Sequence, residues 1–335
     1  MKSLVTGATG FIGGHLTEAL VAAGDEVRVL LRSTSDTRYL RELPVEQCVG
    51  DLTDPASLRR AVAGVDRVFH CGAVVSDWGD PAVFYRVNVE GTHDLLAAAL
   101  HAKVGKFVYV SSTEVYGHPD FAADEDAPHR YRGWPYCDTK IDAEKHAWAF
   151  ARRGLPLTVI RPATVYGPRW TTILEFLKAL REGQMMLVAG GRKNAGLVYV
   201  DNLSDVLLLL GKPEIGLGRA YNVTDGLDVT WSQFINALAT MLGRGPVQRS
   251  LPRWLAYAAG WGLEKWARAR RQRSRPLITR MAVEFTGTDQ GFSSDRARRE
   301  LGWRPRVDFD TGMRRVQAWL QEEGHLDGHD VAPRP

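Results

Sequence analysis

The seven residues Gly7-Ala8-Thr9-Gly10-Phe11-Ile12-Gly13 constrain this chain more than any other stretch. They follow directly on the short β-prone run Ser3–Thr6 and open an amphipathic pattern through Leu16, Ala19 and Leu20. A strand, a tight glycine turn and a helix are therefore predicted in immediate succession. Glycines at such a junction let the backbone turn sharply and approach a pyrophosphate, whose charge then sits against free N–H groups and the positive end of the helix. The spacing is Gly-x-x-Gly-x-x-Gly, not the Gly-x-Gly-x-x-Gly of other dinucleotide folds. A plain strand-to-helix turn has similar composition, but the place of these glycines between strand and helix favours the phosphate site. Because Lys2–Thr6 reads as the first strand, no signal peptide is predicted.

Beyond this unit, short apolar runs alternate with helical patterns. Strands are predicted at Val27–Leu31, Val45–Val49, Arg67–Cys71, Phe107–Ser111 and Thr158–Arg161. That alternation predicts an α/β fold, a doubly wound parallel sheet whose strands all end along one ligand-binding edge. After Pro162 the pattern changes to longer helices broken by Gly and Pro, with short strands near 196–200 and 220–223. The predicted organisation is a dinucleotide-binding domain over 1–165, to which 196–225 returns. A smaller, interleaved C-terminal substrate lobe is built from 166–195 and 226–325, and 326–335 is a disordered tail.

With 44% apolar and 24% charged residues, the chain is neither disordered nor fibrous. Its longest uncharged apolar run, Trp254 to Leu263, is half of the ~20 residues that a spanning helix needs. Cys48, Cys71 and Cys137 lack metal spacing and cannot all pair, which predicts a reducing, cytoplasmic setting with no disulfide framework and no metal site. Charge is uneven: residues 244–315 hold 17 Lys/Arg against 7 Asp/Glu, leaving 26 against 32 elsewhere. A basic end of this kind suits an acidic partner or an anionic membrane surface.

Chemistry is carried by Tyr136 and Lys140, four apart near the start of a predicted helix and so on one face of it. An ammonium beside the phenol is expected to lower its pKa toward neutral and make Tyr136 a general acid or base. Ser111 and Ser112 end the fifth strand, where a hydroxyl can stabilise a developing oxyanion. Asp51, in Gly50-Asp51-Leu52, is placed either near an adenine ring or as a cap of the helix starting at Pro55.

Taken together, GATGFIGG (7–14), GDL (50–52), NVEGT (88–92), YVSSTEVYG (109–117), YCDTK (136–140), RPATVYGP (161–168) and FSSDRARRELGWRP (292–305) resemble the extended short-chain dehydrogenase/reductase family over nearly the whole chain. The resemblance implies a Rossmann-type fold and hydride transfer between a nicotinamide and a carbinol carbon. Its catalytic set would be Ser112, Tyr136 and Lys140. Cofactor contacts would come from Gly7, Gly10, Phe11, Ile12, Gly13, Arg32, Asp51, Leu52, Ala73, Asn88, Ser111, Tyr136, Lys140, Pro162 and Val165. It also implies a homodimer through the helices around 81–102 and 136–154.

Within the family, sugar-nucleotide enzymes usually carry Asn three residues after the Arg of the RP motif; here Thr164 stands there, and Ala195-Gly196-Leu197-Val198-Tyr199-Val200-Asp201-Asn202 lacks their charged pair. The chain looks closer to the 3β-hydroxysteroid dehydrogenase and 2-alkyl-3-oxoalkanoate reductase branch, which implies a secondary alcohol or ketone on an apolar substrate. An epimerase and a non-catalytic dinucleotide sensor are the alternatives. Glu114 matches the acid of sugar-nucleotide dehydratases, but Thr113 replaces its neighbour, and a salt-bridged structural role is the other reading. Residues 251–275 place Trp254, Tyr257, Trp261 and Trp266 before a run of arginines, as an interfacial helix, a substrate lid or plain packing would. No nucleic-acid-binding module accompanies them. Leu31 occupies the place of the acid that NAD-binding members carry, and Arg32 follows it, so NADP is expected over NAD.

Overall fold

Strand formation follows the apolar runs. In the computed structural model, which describes residues 1–272 and 274–326, the main sheet contains β1 (Lys2–Thr6), β2 (Glu26–Leu31), β3 (Val45–Val49), β4 (Arg67–His70), β5 (Lys106–Val110), β6 (Leu157–Pro162) and β7 (Ala220–Val223). All pairings are parallel, in the order β7-β6-β5-β4-β1-β2-β3. This is the Rossmann order with one more strand, and it places every strand's C-terminal end along one edge. Each residue of β5 and β6 is buried, as expected of central strands covered on both faces.

The α-helices longer than four residues are α1 (Phe11–Ala22), α2 (Pro55–Val62), α3 (Gly91–His101), α4 (Pro135–Arg152), α5 (Thr171–Arg181), α6 (Val200–Leu210), α7 (Trp231–Met241), α8 (Arg253–Ala269), α9 (Arg280–Gly287), α10 (Asp295–Leu301) and α11 (Phe309–Glu322), and a short helix Pro81–Phe84 with a π-helical turn Tyr85–Glu90 leads into α3. Leu58, Leu95, Leu96, Ala143, Ala147 and Phe150, from α2, α3 and α4, form a core with Leu4, Val68 and Phe107. Leu16, Leu20, Leu203 and Leu207, from α1 and α6, form another with Val5, Val29 and Val108. A third core joins Tyr166, Leu177, Trp231, Phe234, Val316 and Trp319 beyond the sheet. The chain passes between these cores through the parallel pairing of Thr164–Tyr166 with Leu197–Tyr199. Leu326, expected to begin a disordered tail, is instead buried against the third core. The rest of that expected tail lies outside the described residues.

Candidate active site

The glycine turn is held by close backbone packing. Gly7 has φ +73°, and a Cβ there would lie 2.8 Å from Gly72. A Cβ on Gly13 would lie 2.2 Å from the Gly7 carbonyl oxygen. Gly10 caps α1 without any side chain accepting from the first-turn amides. A helix N-terminus without a side-chain cap, on a turn too tight to admit side chains at Gly7 and Gly13, fits a dinucleotide pyrophosphate. Thr6 Oγ1 buttresses the turn, accepting from Gly72 N at 3.2 Å and meeting His70 Nδ1 at 2.7 Å. The other imidazole nitrogen, His70 Nε2, meets Thr92 Oγ1 at 2.8 Å. Burial, reinforced by the Lys140 charge, presses the imidazole pKa down to about 3, so His70 is neutral. Phe11 and Ile12 pack outward from the turn against the lobe core and the sheet core respectively.

Beyond β3, Asp51 does not cap α2; Asp54 does, accepting from Ala56 N. Asp51 Oδ1 accepts from the backbone and hydroxyl of Thr53 at 2.8 and 2.7 Å. Burial pushes its carboxyl up, but the Thr53 hydrogen bonds, with the charges of Arg32 and Arg86, hold it below the ordinary range. Arg32 is exposed at the end of β2 beside buried Leu31. Leu52 fills the space between Gly72 and Gly91. Ala73 lies in the loop after β4. Asn88 fixes that loop by accepting from Val74 N at 2.7 Å and donating to Val74 O at 3.0 Å and to Thr139 Oγ1 at 3.1 Å.

At the reacting end, Pro135 starts α4 and Tyr136 and Lys140 share one of its faces. The Lys140 ammonium donates to Val110 O at 2.6 Å and lies 4.5 Å from the centre of the Tyr109 ring. Burial lowers its pKa to about 7, against the opposing charge of Glu144. The expectation that Lys140 depresses Tyr136 is corrected by this geometry. Loss of water lifts the Tyr136 phenol above its ordinary value and the Glu114 carboxylate adds to the rise, while the Ser112 hydroxyl works against it. Tyr136 is therefore a protonated phenol at neutral pH. Ser112 Oγ also accepts from Glu114 N at 3.2 Å.

Glu114 is paired: His118 Nε2 lies 2.8 Å from its Oε2, and the Cys137 thiol donates to the same oxygen at 3.1 Å. Burial raises this carboxyl, and the His118 charge outweighs it and holds it low. The three side chains bring their donor atoms within 4.8 Å of one another, and these contacts are spent inside the trio.

Sequence reasoning missed a second network. Ser111 Oγ donates to Glu144 Oε2 at 2.7 Å, and Glu144 forms a buried pair with Arg161. Arg161 Nη1 donates to Tyr116 OH at 2.6 Å, and Tyr116 donates to Asn222 Oδ1 at 2.8 Å. Strands β5, β6 and β7 and helix α4 are thereby locked together directly behind the serines. The i, i+4 position of Glu144 after Lys140 was a usable signal. Pro162 ends β6, and Val165 packs between the lobe core and the sheet core. The fold gathers the glycine turn, Asn88, Ser111, Ser112, Tyr136 and Lys140 along one sheet edge, with Arg32 and Asp51 at its far end.

A dinucleotide cradle joined along one edge to a serine, a protonated tyrosine and a buried lysine defines a class of NAD(P)-dependent enzymes. The profile of the NAD dependent epimerase/dehydratase family matches residues 3–224, and the chain belongs to that family. It is 32% identical over 328 residues to a 2-alkyl-3-oxoalkanoate reductase of Stenotrophomonas maltophilia, covering 95% of this chain and 99% of that one. It is 33% identical over 319 residues to a 4-hydroxy-2-methyl-3-oxo-4-farnesyl-3,4-dihydroquinoline-1-oxide ketoreductase of Stigmatella aurantiaca, covering 93% of this chain and 95% of that one. Among solved structures, the crystal structure of gox2253 is similar, with a TM-score of 0.80 and 31% identity, covering 97% of this chain and 99% of that chain. The protein is an oxidoreductase of the extended short-chain dehydrogenase/reductase type.

Proposed function

We propose that the protein is a ketoreductase that interconverts a ketone and a secondary alcohol on an apolar, cyclic or long-chain substrate, with NADPH preferred over NADH. The observation that carries this reading is the protonated Tyr136 phenol beside the Ser112 hydroxyl. A phenol above its ordinary pKa is a proton donor at neutral pH, which suits reduction. Ser112 and Tyr136 donate hydrogen bonds to the substrate oxygen. When bound, the reduced nicotinamide supplies the hydride that forms the new C–H bond. As the carbonyl π bond breaks, its oxygen takes the Tyr136 proton, and the new hydroxyl donates a hydrogen bond back to the phenolate left behind. Gly7, Gly10 and Gly13 would hold the pyrophosphate, Asn88 the loop beside it, and Arg32 a ribose 2′-phosphate.

Thr164 and the uncharged run Ala195–Val198 support an apolar pocket, since a sugar diphosphate would find neither an amide nor a guanidinium there. Both named relatives, one handling an alkyl oxoalkanoate and one a farnesylated ketone, support the same class. As part of this reading we take 1–165 with 196–225 as the dinucleotide unit, and 166–195 with 226–325 as the substrate lobe. We also take the protein to be a cytoplasmic homodimer through the helices around 81–102 and 136–154. The test is NADPH oxidation with a 2-alkyl-3-oxo ester and a 3-ketosteroid, set against thermal shift with UDP. Turnover of either ketone supports the proposal; stabilisation by micromolar UDP with no ketone turnover moves the assignment to a sugar-nucleotide epimerase.

A further inference from the structure

Helix α8 departs from the pattern of a surface helix, whose outward side is normally polar. Ala256, Gly260, Glu264 and Ala267 face the protein and are buried. Gly260 packs so closely that a Cβ would lie 3.1 Å from Arg280 N, and Glu264 anchors the helix by accepting from Arg280 N at 2.7 Å. Trp254, Leu255, Ala258, Trp261, Lys265 and Trp266 point outward. Trp254 is 72% exposed, Trp261 52% and Trp266 51%, and Leu277 just beyond the helix is 75% exposed. The chain has ten tryptophans, and the three exposed ones all lie on this helix.

The charge around them has one sign. Residues 251–280 contain eight Lys or Arg and a single acid, Glu264, which is buried and spent on Arg280. Among the described residues, Lys265, Arg268, Arg270 and Arg271 are exposed and have no carboxylate partner. Arg270 lies 4.8 Å from the Trp266 ring, and Lys265 lies 5.9 Å from that of Trp261. Tryptophans beside cations match the boundary of a bilayer, where the indole sits at headgroup depth and the cation meets lipid phosphate. No described helix is long and apolar enough to cross a membrane, so such a contact is peripheral.

We propose that α8 docks this protein onto the surface of a membrane rich in anionic phospholipid. The helix's first residue and the segment that follows it are tied to the chain leading into α4 and to the loop after β4. Arg275 and Thr279 bind Asp77 at 2.6 Å, in the loop held by Asn88. Arg253 bridges Glu284 and Asp120, and Arg132 reaches the same Glu284. Docking through α8 would therefore hold the loop after β4 and the chain leading into α4 close to the lipid surface. Delivery of an apolar ketone from the bilayer rests on the proposed function; vesicle binding does not.

The test is cosedimentation with vesicles of phosphatidylcholine alone and of phosphatidylcholine mixed with phosphatidylglycerol. It is paired with tryptophan quenching by brominated acyl chains and with turnover of a short, water-soluble ketone. Partitioning at least tenfold stronger onto the anionic vesicles, weakened by salt and accompanied by quenching, is expected. The Trp254→Ser/Trp261→Ser/Trp266→Ser variant and, separately, Lys265→Glu/Arg271→Glu should each lose about tenfold in partitioning with soluble-ketone turnover unchanged. Equal binding to both vesicle types, or none, overturns the proposal. So does wild-type self-association that either variant abolishes without any vesicle binding, which would make this face a contact between copies. Loss of soluble-ketone turnover in unaltered protein would strike the proposed function and leave the vesicle result standing.

Discussion

Lys140 aims its ammonium at the Val110 carbonyl oxygen, 2.6 Å away, and not at the Tyr136 phenol one helical turn before it. Its carboxylate neighbour Glu144 is already bound to Arg161 and Ser111, so burial controls the lysine's pKa, at about 7. The lysine thus changes charge at about pH 7, while Tyr136 keeps its proton.

Tyr136→Phe deletes that proton and keeps the ring. The expected loss in kcat for ketone reduction is about 10²–10⁴-fold, the range of general acid–base catalysis. Dinucleotide affinity should stay close to wild type. Fluorescence titration with NADPH beside steady-state kinetics checks both, and unchanged turnover would remove Tyr136 from the mechanism.

A pH profile separates Lys140 from Tyr136. The free-enzyme kcat/KM for reduction should fall as pH rises through about 7, because the positive charge of Lys140, one helical turn from Tyr136, is lost there. Lys140→Arg keeps the charge at every accessible pH, so its smaller kcat/KM should show no such fall. Lys140→Met should weaken NADPH binding as well as rate.

How far the sequence discloses this site depends on chain distance. The glycine turn is a strand, a bend and a helix inside one short segment, and Tyr136 and Lys140 share one turn of one helix. Both are local patterns. The pair joining Arg161 and Glu144 spans 17 residues, the bond from Arg161 to Tyr116 spans 45, and that from Tyr116 to Asn222 spans 106. These meet only because β5, β6 and β7 lie side by side, and no single segment carries their pattern. The sign of the Tyr136 shift was misread for the same reason: spacing showed the lysine, but burial and Glu114 set the shift.

The buried pair gives a stability test. Arg161→Met strands the Glu144 carboxylate without its hydrogen-bonded guanidinium and should cost about 3–5 kcal/mol in denaturant unfolding. Adding Glu144→Gln to Arg161→Met should recover part of that loss. A double variant no more stable than the single one would show that lost packing, not the stranded charge, sets the cost.

His70 makes acid stability a second readout. Its imidazole titrates near 6.5 when unfolded and about 3 when folded, so between these values the unfolded chain binds a proton that the native one refuses. The stabilisation is fully present above pH 6.5 and is lost as pH falls toward 3, by up to about 1.4 kcal/mol per unit. Unfolding free energies measured from pH 7 to pH 4 should slope less steeply in His70→Gln than in the wild type. Parallel slopes would assign the acid sensitivity to other groups.

The proposed NADPH preference rests on the end of β2. Leu31 is buried there with no carboxylate to bind a ribose 2′-hydroxyl, and Arg32 stands exposed beside it within reach of the charge of Asp51. A guanidinium so placed can pair with a 2′-phosphate, and a charge-assisted hydrogen bond is worth roughly 1.5–3 kcal/mol. Arg32→Asp should therefore lower kcat/KM for NADPH by about 10–100-fold and leave NADH equal or better, reversing the preference. Arg32→Ala should lose the NADPH advantage without gaining NADH, which distinguishes lost attraction from new repulsion. Wild-type enzyme that uses NADH better than NADPH would show that Arg32 points to water and takes no part in selection.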